Sequence, residues 1–531
     1  MVCRLSYLAG MGLIAIWAGG ACYRSAPTTN DTQILRRAIG GEPASLDPAA
    51  VADFFAYQVM DDLYEGLTVE SASGEALPGV AESWTIEESG RLYTFQLRIS
   101  ARWSNGKPVR AQEFVTAWRR VVNPKTASPV ADNLRLIAGA SAIIERRASP
   151  DSLGVSAPSD HILVVHLEQP AAYFPQLLTQ SATYPVYSDS SARSHLAGDH
   201  VSNGPFALAQ WVIGSEIRLV KNSQYWDREK VKLNQIEYHI LTNDSSQYAG
   251  FRSGELDMTD QVPTNAIAAL RASHSTDLFL NPLLNTAYYG LNLTTKPFKT
   301  NIKLRQALAM AINRQKIVEQ LAAGQLPAFG FVPPGTWNYQ GQSWSWATMN
   351  ESGRIAEAKR LYAESGHSIT NPLHLRLLLN TNVGIKNTAI IIAAMWKEVL
   401  GIDTELVIEE NRVFLETRHD KSRWEVARLA WLADFNDASN FLDIFRANSP
   451  NNDFGYSNPQ FEDIQNDAAK TSSVAHRRHL LETGEKIVLD DYPVIPLYYF
   501  VSKRLIKSYV AGVQKNPLDR HASKWISIVP H

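Results

Sequence analysis

The side chains that could do chemistry in this sequence are few, and most stand where catalysis cannot use them. His476 and His479 lie three apart, a spacing that puts both imidazoles on one helix face and could hold a metal ion. Arg477 and Arg478 separate them, and a solvated basic helix face accounts for the same pattern more simply. His161 and His166 sit in or beside a strand-forming run and read as ordinary strand residues. Neither H-E-x-x-H nor G-x-S-x-G occurs. The carboxylate pairs Asp61-Asp62, Glu87-Glu88 and Glu409-Glu410 are adjacent residues, and adjacent strand residues point to opposite faces, which makes poor acid–base pairs. Cys3 and Cys22 are the only cysteines, so the chain from Tyr23 onward offers no disulfide, no Cys-ligated metal and no thiol nucleophile. Gly10-Met-Gly12-Leu-Ile-Ala15 fits a loose dinucleotide pattern, but no strand precedes it. No enzyme activity, metal or cofactor is expected. A secreted hydrolase is the alternative class, because catalytic groups also assemble from distant positions, and a chaperone-like or adhesive surface protein is a third.

Bulk properties narrow the field further. Lys and Arg number 51 against 53 Asp and Glu, a net charge of -2, which gives no basic surface for nucleic acid and no general attraction to anionic lipid. At 531 residues the chain exceeds the ~250–300 that one core can organise, so two or more lobes are expected. The N-terminus reads as a secretory signal over residues 1–21: Arg4, then an almost uncharged apolar run from Leu5 to Ala18, then the small residues Gly19-Gly20-Ala21. Ala21-Cys22 resembles a lipobox, in which Cys22 becomes the lipidated first residue, although Gly19 stands where that pattern prefers Leu. Residues 22–33 are polar and suit a tether. A periplasmic, lipid-anchored monomer is expected, with no other membrane association.

The elements that must position a site alternate along the chain. Strands are predicted at Ile34 to Ile39, Leu92 to Arg98, Ile162 to Leu167, Leu373 to Leu379, Thr404 to Ile408, Val494 to Phe500 and Leu505 to Tyr509. Helices are predicted at Ala52 to Leu63, Ala111 to Val121, Lys303 to Ala322, Gly353 to Glu364 and Thr388 to Leu400, the last stopped by Gly401. Trp103-Ser-Asn105-Gly106-Lys-Pro108 reads as a turn. Mixed strands and helices indicate an α/β architecture, and a C-terminal strand returning to the N-terminal ones would make the lobes discontinuous.

A run of motifs in fixed order then carries a resemblance. Ser45-Leu46-Asp47-Pro48 is followed by Leu63-Tyr64-Glu65-Gly66-Leu67, Pro78-Gly-Val-Ala-Glu82-Ser-Trp84, Ala101-Arg-Trp103-Ser-Asn-Gly106-Lys-Pro108, Asn203-Gly204-Pro205-Phe206, Tyr225-Trp226 and Phe251-Arg-Ser-Gly254-Glu-Leu-Asp257. Each is weak alone. Together, over nearly the whole chain, they resemble the solute-binding proteins of peptide ABC transporters, within them the oligopeptide- and murein-peptide-binding type. The resemblance implies a periplasmic binding protein-like α/β fold with two ligand-clasping lobes plus an inserted third lobe. Residues 34–55, 186–285 and 503–531 would form lobe I, 56–185 the inserted lobe II and 286–502 lobe III. It implies a receptor that encloses short peptides, murein peptides being one alternative, and presents them to ABC transporter permease subunits.

It also implies the site. Arg428-Leu-Ala430-Trp431-Leu-Ala-Asp434-Phe435 matches the family's ligand-binding segment. Asp434 would pair with the peptide ammonium, Arg428 and Arg418 would take the carboxylate, Ala430 would supply backbone bonds and Trp431 an aromatic wall. Glu42 matches an acidic position at the cleft, a partner for Arg428 when no carboxylate is present, and Tyr288 and Phe500 match aromatic pocket positions. The family's accessory cations are absent: a carboxylate-binding histidine is Ile385 here, and a lysine is Leu321 or Ala322. An aromatic pocket flank is Asn411, and a cysteine pair is replaced by Asn285 and Leu432. Losing two cations leaves Arg428 and Arg418 as the main carboxylate ligands.

Overall fold

The computed structural model describes residues 33–51, 53–187, 200–471 and 473–531. The expected signal, the tether up to Thr32 and the lipidation position Cys22 lie outside the described residues. Three main sheets organise the chain. The strands Ile34–Ile39, Gln235–Ile240, Glu216–Lys221 and Phe206–Val212 form a mixed sheet, in which the first two pair in parallel and the rest antiparallel. A second sheet is wholly antiparallel, built from Ala81–Glu87, Leu92–Leu97, Ile162–His166 and Val155–Ser159. Leu92–Leu97 alternates buried and half-buried residues as its period-two pattern predicts, and Tyr93, Phe95 and Leu97 point inward. Both sheets feed one hydrophobic cluster, which also takes in Ile506, Val510, Ile526 and Ile528 from the C-terminal tail.

The third sheet has six strands: Leu326–Pro327, Val494–Leu505, Leu278–Leu291, Val426–Leu432, His374–Asn380 and Asp403–Glu409, in that spatial order. One side packs on helices including Ile302–Ala311 and Val383–Leu400. The other packs on an aromatic cluster of Tyr288, Phe331, Phe441, Phe445 and Phe461. Helix Val383–Leu400 stops where expected, at Gly401, whose φ of 77° lies in the left-handed region that favours glycine.

Several expectations change in detail. The single helix predicted over Lys303 to Ala322 is two, Ile302–Ala311 and Arg314–Leu321. Ile312 is extended at the break, and the Asn313 side chain accepts from the Lys316 N–H to cap the second helix. Val494 to Phe500 and Leu505 to Tyr509 are not separate strands: Val494–Leu505 is continuous and pairs antiparallel with the fourteen-residue strand Leu278–Leu291. These two strands run through positions 285 and 502, where boundaries between lobes are expected. Their register shifts between Pro282 and Thr286, which marks a bulge at that crossing. The tail does return to the N-terminus, but through side chains and isolated bridges. Gln33 exchanges hydrogen bonds with the backbone of Ile528, and Met258 bridges both Arg37 and Ile506.

Candidate ligand-binding cleft

The matched segment begins as a strand because its β-branched, aromatic and leucine residues suit a pleated surface. In Val426–Leu432 the side chains of Arg428, Ala430 and Leu432 share one face, and exposure increases along it: Arg428 is half-buried, whereas Ala430 and Leu432 are open. One edge of the strand pairs with Leu278–Leu291 along its length, from Asn285 opposite Leu432 to Leu291 opposite Val426. The other edge pairs with His374–Asn380 only at Val426 and Ala427. From Arg428 to Leu432 that edge has no ladder partner among the described residues. Asn285 and Leu432 are direct cross-strand neighbours.

The chain turns immediately after the strand, and the turn is tied down. Asp437 accepts two charge-assisted bonds from Arg477 (2.7 and 2.8 Å) and caps Ser439 through its backbone and hydroxyl. Phe435 stacks flat on Tyr173, centroids 4.9 Å apart. The Asp434 backbone carbonyl accepts from the Gln180 side-chain amide at 2.5 Å, and the oxygen of that amide accepts in turn from the Asn133 side chain at 2.7 Å. The backbone of Asp434 is thus fixed by groups from another part of the chain, while its carboxylate is exposed to two cavities. One, of about 250 Å³, is bounded by Tyr57, Asp61, Asn285, Leu432 and Arg520. The other, of about 270 Å³, is bounded by Tyr173, Trp431, Phe435 and Asn440. Although open to these cavities, the carboxylate loses enough water to the surrounding walls that its pKa is raised, a shift that a hydrogen bond from Asn440 and the charge of Arg520 partly offset. It has no ion-pair partner within 4 Å among the described residues.

The other expected site residues divide. The Arg428 guanidinium donates to the Tyr498 hydroxyl at 3.3 Å and lies 5.8 Å from the Phe500 ring centre. It has no carboxylate partner among the described residues. Phe500, expected at an aromatic pocket position, therefore stands beside the Arg428 guanidinium. Trp431 points away from Arg428 and Ala430, is half-buried, and donates to Asn440 at 2.9 Å beside Asp434. Arg418, near the end of helix Asn411–His419, faces Asp453 at 3.5 Å, a carboxylate shared with His419 at 2.8 Å. Tyr288 lines neither of the two cavities beside Asp434. It sits opposite Leu429, on the face away from Arg428, and packs edge-on against Phe331 at 5.0 Å. Burial and the charge of Asp453 raise its pKa, and the charges of Arg418 and Arg428 partly offset that rise. Glu42 does not pair with Arg428. Its oxygens accept from the Trp211 indole and the Gly214 N–H, both at 2.6 Å, in the hairpin between Phe206–Val212 and Glu216–Lys221.

Sequence reasoning missed Arg520, Asp61, Gln180 and Asn133. Asp61-Asp62 was visible as a doublet, but it lies on helix Phe54–Leu63, where adjacent side chains diverge by about 100°. Asp62 turns into the core, bonded to Tyr238 and to the Ser523 N–H, both at 2.7 Å, and Asp61 turns to the cavity. No local pattern marks Arg520, which reaches the cleft from the C-terminal tail. Among the described residues no group of His, Cys, Asp and Glu is arranged to hold a metal ion, and no helix is long and apolar enough to cross a membrane.

Comparison with known proteins places this arrangement. Residues 75–453 match the family model for bacterial extracellular solute-binding proteins, family 5 (middle region). The periplasmic oligopeptide-binding protein OppA of Escherichia coli (strain K12) is 35% identical, with 100% of this chain and 99% of that protein aligned. Among solved structures, the unliganded open form of the periplasmic murein tripeptide-binding protein MppA is similar with a TM-score of 0.89 at 33% identity, covering 94% of this chain and 98% of that one. A second structure, of the E. coli MppA protein, gives 0.74 at 33% identity, covering 94% and 99%. The present arrangement is therefore nearer the open, unliganded one. The fold is periplasmic binding protein-like, and the chain belongs to the bacterial extracellular solute-binding proteins of family 5.

Proposed function

We propose that this protein is a periplasmic receptor that captures short peptides and delivers them to an ABC importer, without chemically altering them. The observation that carries the reading is the free strand edge from Arg428 to Leu432, with an unpaired guanidinium at its start and the unpaired carboxylate of Asp434 just beyond its end. Peptides of any sequence share a main chain, an ammonium and a carboxylate. An open strand edge binds the main chain without reading side chains. Opposite charges at the two ends neutralise the termini, which are costly to desolvate unpaired. Six residues of extended chain span at most about 20 Å. The reach of the arginine and aspartate side chains shortens that span toward the length of three or four extended residues.

In this reading Asp434 takes the ammonium, Arg428 takes the carboxylate through its planar fork, and Ala430 offers main-chain bonds. Trp431 and Phe500 line the flanks. A ligand touching residues on both sides of the crossing at 282–286 binds the closed form better than the open one, and so closes it. The permease reads the closed shape, and lipidation at Cys22 holds the receptor at the membrane.

The test is isothermal titration of Asp434→Ala against a tripeptide and a tetrapeptide. Leaving a peptide ammonium buried and unpaired weakens binding by more than about a hundredfold. Unchanged affinity sinks the assignment of Asp434. Peptide recovered cleaved in mass spectrometry contradicts a receptor and supports a hydrolase.

A further inference from the structure

The cavity beside Asp434 holds a second carboxylate that, among the described residues, has no ion-pair partner within 4 Å. Asp61, on helix Phe54–Leu63, lines it together with Leu432 of the strand Val426–Leu432. One Asp61 oxygen accepts from Tyr184 at 2.9 Å, and no cation lies within 4 Å of the carboxylate among the described residues. The nearby cation, Arg520, is shared: its charge acts on Asp61, but it lies 3.6 Å from Glu70 and donates to the Thr179 carbonyl at 3.4 Å. Asp519 also borders the cavity, but Arg504 holds it at 2.8 Å. His521 adds no charge at neutral pH, since burial lowers its pKa. On the strand side, the Asn285 side-chain oxygen is buried and accepts no hydrogen bond among the described residues. Asp61 and Asp434 on the cavity, and Glu70 beside it, thus share the one guanidinium of Arg520.

We infer that Asp61 is a specificity-determining residue that selects peptides carrying a basic side chain near their N-terminus, its carboxylate pairing with the side-chain cation while Asp434 holds the terminal ammonium. This inference rests on the proposed peptide-binding reading and assigns a ligand class to its N-terminal cavity. Burial raises the Asp61 pKa, so a lysine or arginine side chain arriving in the cavity stabilises the ionised form and regains what desolvation costs. A norleucine side chain of the same length leaves the carboxylate without that partner.

The test titrates the mature protein with Lys-Ala-Ala and Ala-Lys-Ala and with their norleucine counterparts. The wild type is expected to bind at least one lysine peptide about tenfold more tightly than its norleucine partner. In Asp61→Asn that preference collapses while norleucine-peptide affinity changes by less than about threefold. Equal affinity of the wild type for both members of each pair overturns the inference and leaves the receptor reading standing, and this comparison does not depend on the variant folding. Loss of both peptide types in Asp61→Asn also overturns it, assigning Asp61 to support of Tyr184. Failure of the wild type to bind any of the four peptides overturns the receptor reading and the inference with it.

Discussion

Two regions of this molecule bury charge, and they treat it in opposite ways. Behind the cleft, Arg504 is almost inaccessible and clamps Asp260 at 2.7 Å and Asp519 at 2.8 Å. Arg477 grips Asp437 with both arms in the same manner. Both of these guanidiniums have their counter-charges within the fold. At the cleft, Asp434, Asp61 and Arg428 are desolvated or half-buried yet have no ion-pair partner within 4 Å among the described residues. A fold that supplies counter-ions in one place and withholds them in another has separated structural charge from recognition charge. The first fixes the strand crossing and the turn after Leu432. The second is held in position by neutral groups, including Gln180, Asn440 and Tyr498, that orient without neutralising.

The largest effect that tests this division is on stability. Arg504→Ala strands two buried carboxylates and is expected to cost about 3–5 kcal/mol, read as a fall in the denaturant midpoint. Protein that remains folded binds peptide as before, and a selective loss of binding with no loss of stability breaks the comparison. Next comes Arg428→Gln, expected to weaken binding of a tripeptide with a free C-terminus by about tenfold or more while leaving stability nearly unchanged. Binding of the C-terminally amidated peptide is expected to change little. A large drop in melting temperature would move Arg428 to the structural side.

The smallest effect concerns Glu485, a structural carboxylate without a cation. It accepts from the Phe331 and Val332 N–H groups at 2.7 and 2.8 Å and from Tyr339 at 2.5 Å. Burial raises its pKa from the usual 4.5 to about 7 in spite of these bonds. The folded state therefore binds this proton more tightly than the unfolded chain does. The contribution is full below about pH 4.5 and is lost as the pH rises through about 7. Differential scanning fluorimetry across that window is expected to show a melting temperature falling by about 2 °C from this group, with a shallower slope in Glu485→Gln. An equal slope in both proteins removes Glu485 from the account.

Much of the scaffold was legible in the sequence, and the reason is local. The alternation of Leu92 to Leu97 and the run from Val426 to Leu432 carry their own periodicity, and the order of motifs carries the family. The strand edge left open beyond Ala427 was not legible, because it depends on where His374–Asn380 stops pairing. Arg520 and Gln180 were equally hidden, since each reaches Asp434 across long sequence separations that leave no spacing signal. The break at Asn313 shows a different limit: apolar spacing continued through the junction, and a side-chain cap decided it. Tyr288 was assigned to a pocket, but strand alternation sends it into the aromatic cluster beneath.

The central claim is that the Asp434 carboxylate exists to meet a peptide ammonium. The most direct measurement is a two-by-two titration: wild type and Asp434→Asn, each with a free tripeptide and with its N-acetylated form. The account predicts that acetylation weakens wild-type binding by about a hundredfold or more, and that the asparagine variant binds both forms with the same low affinity. Equal binding of free and acetylated peptide by the wild type, or an undiminished preference in the variant, would contradict it.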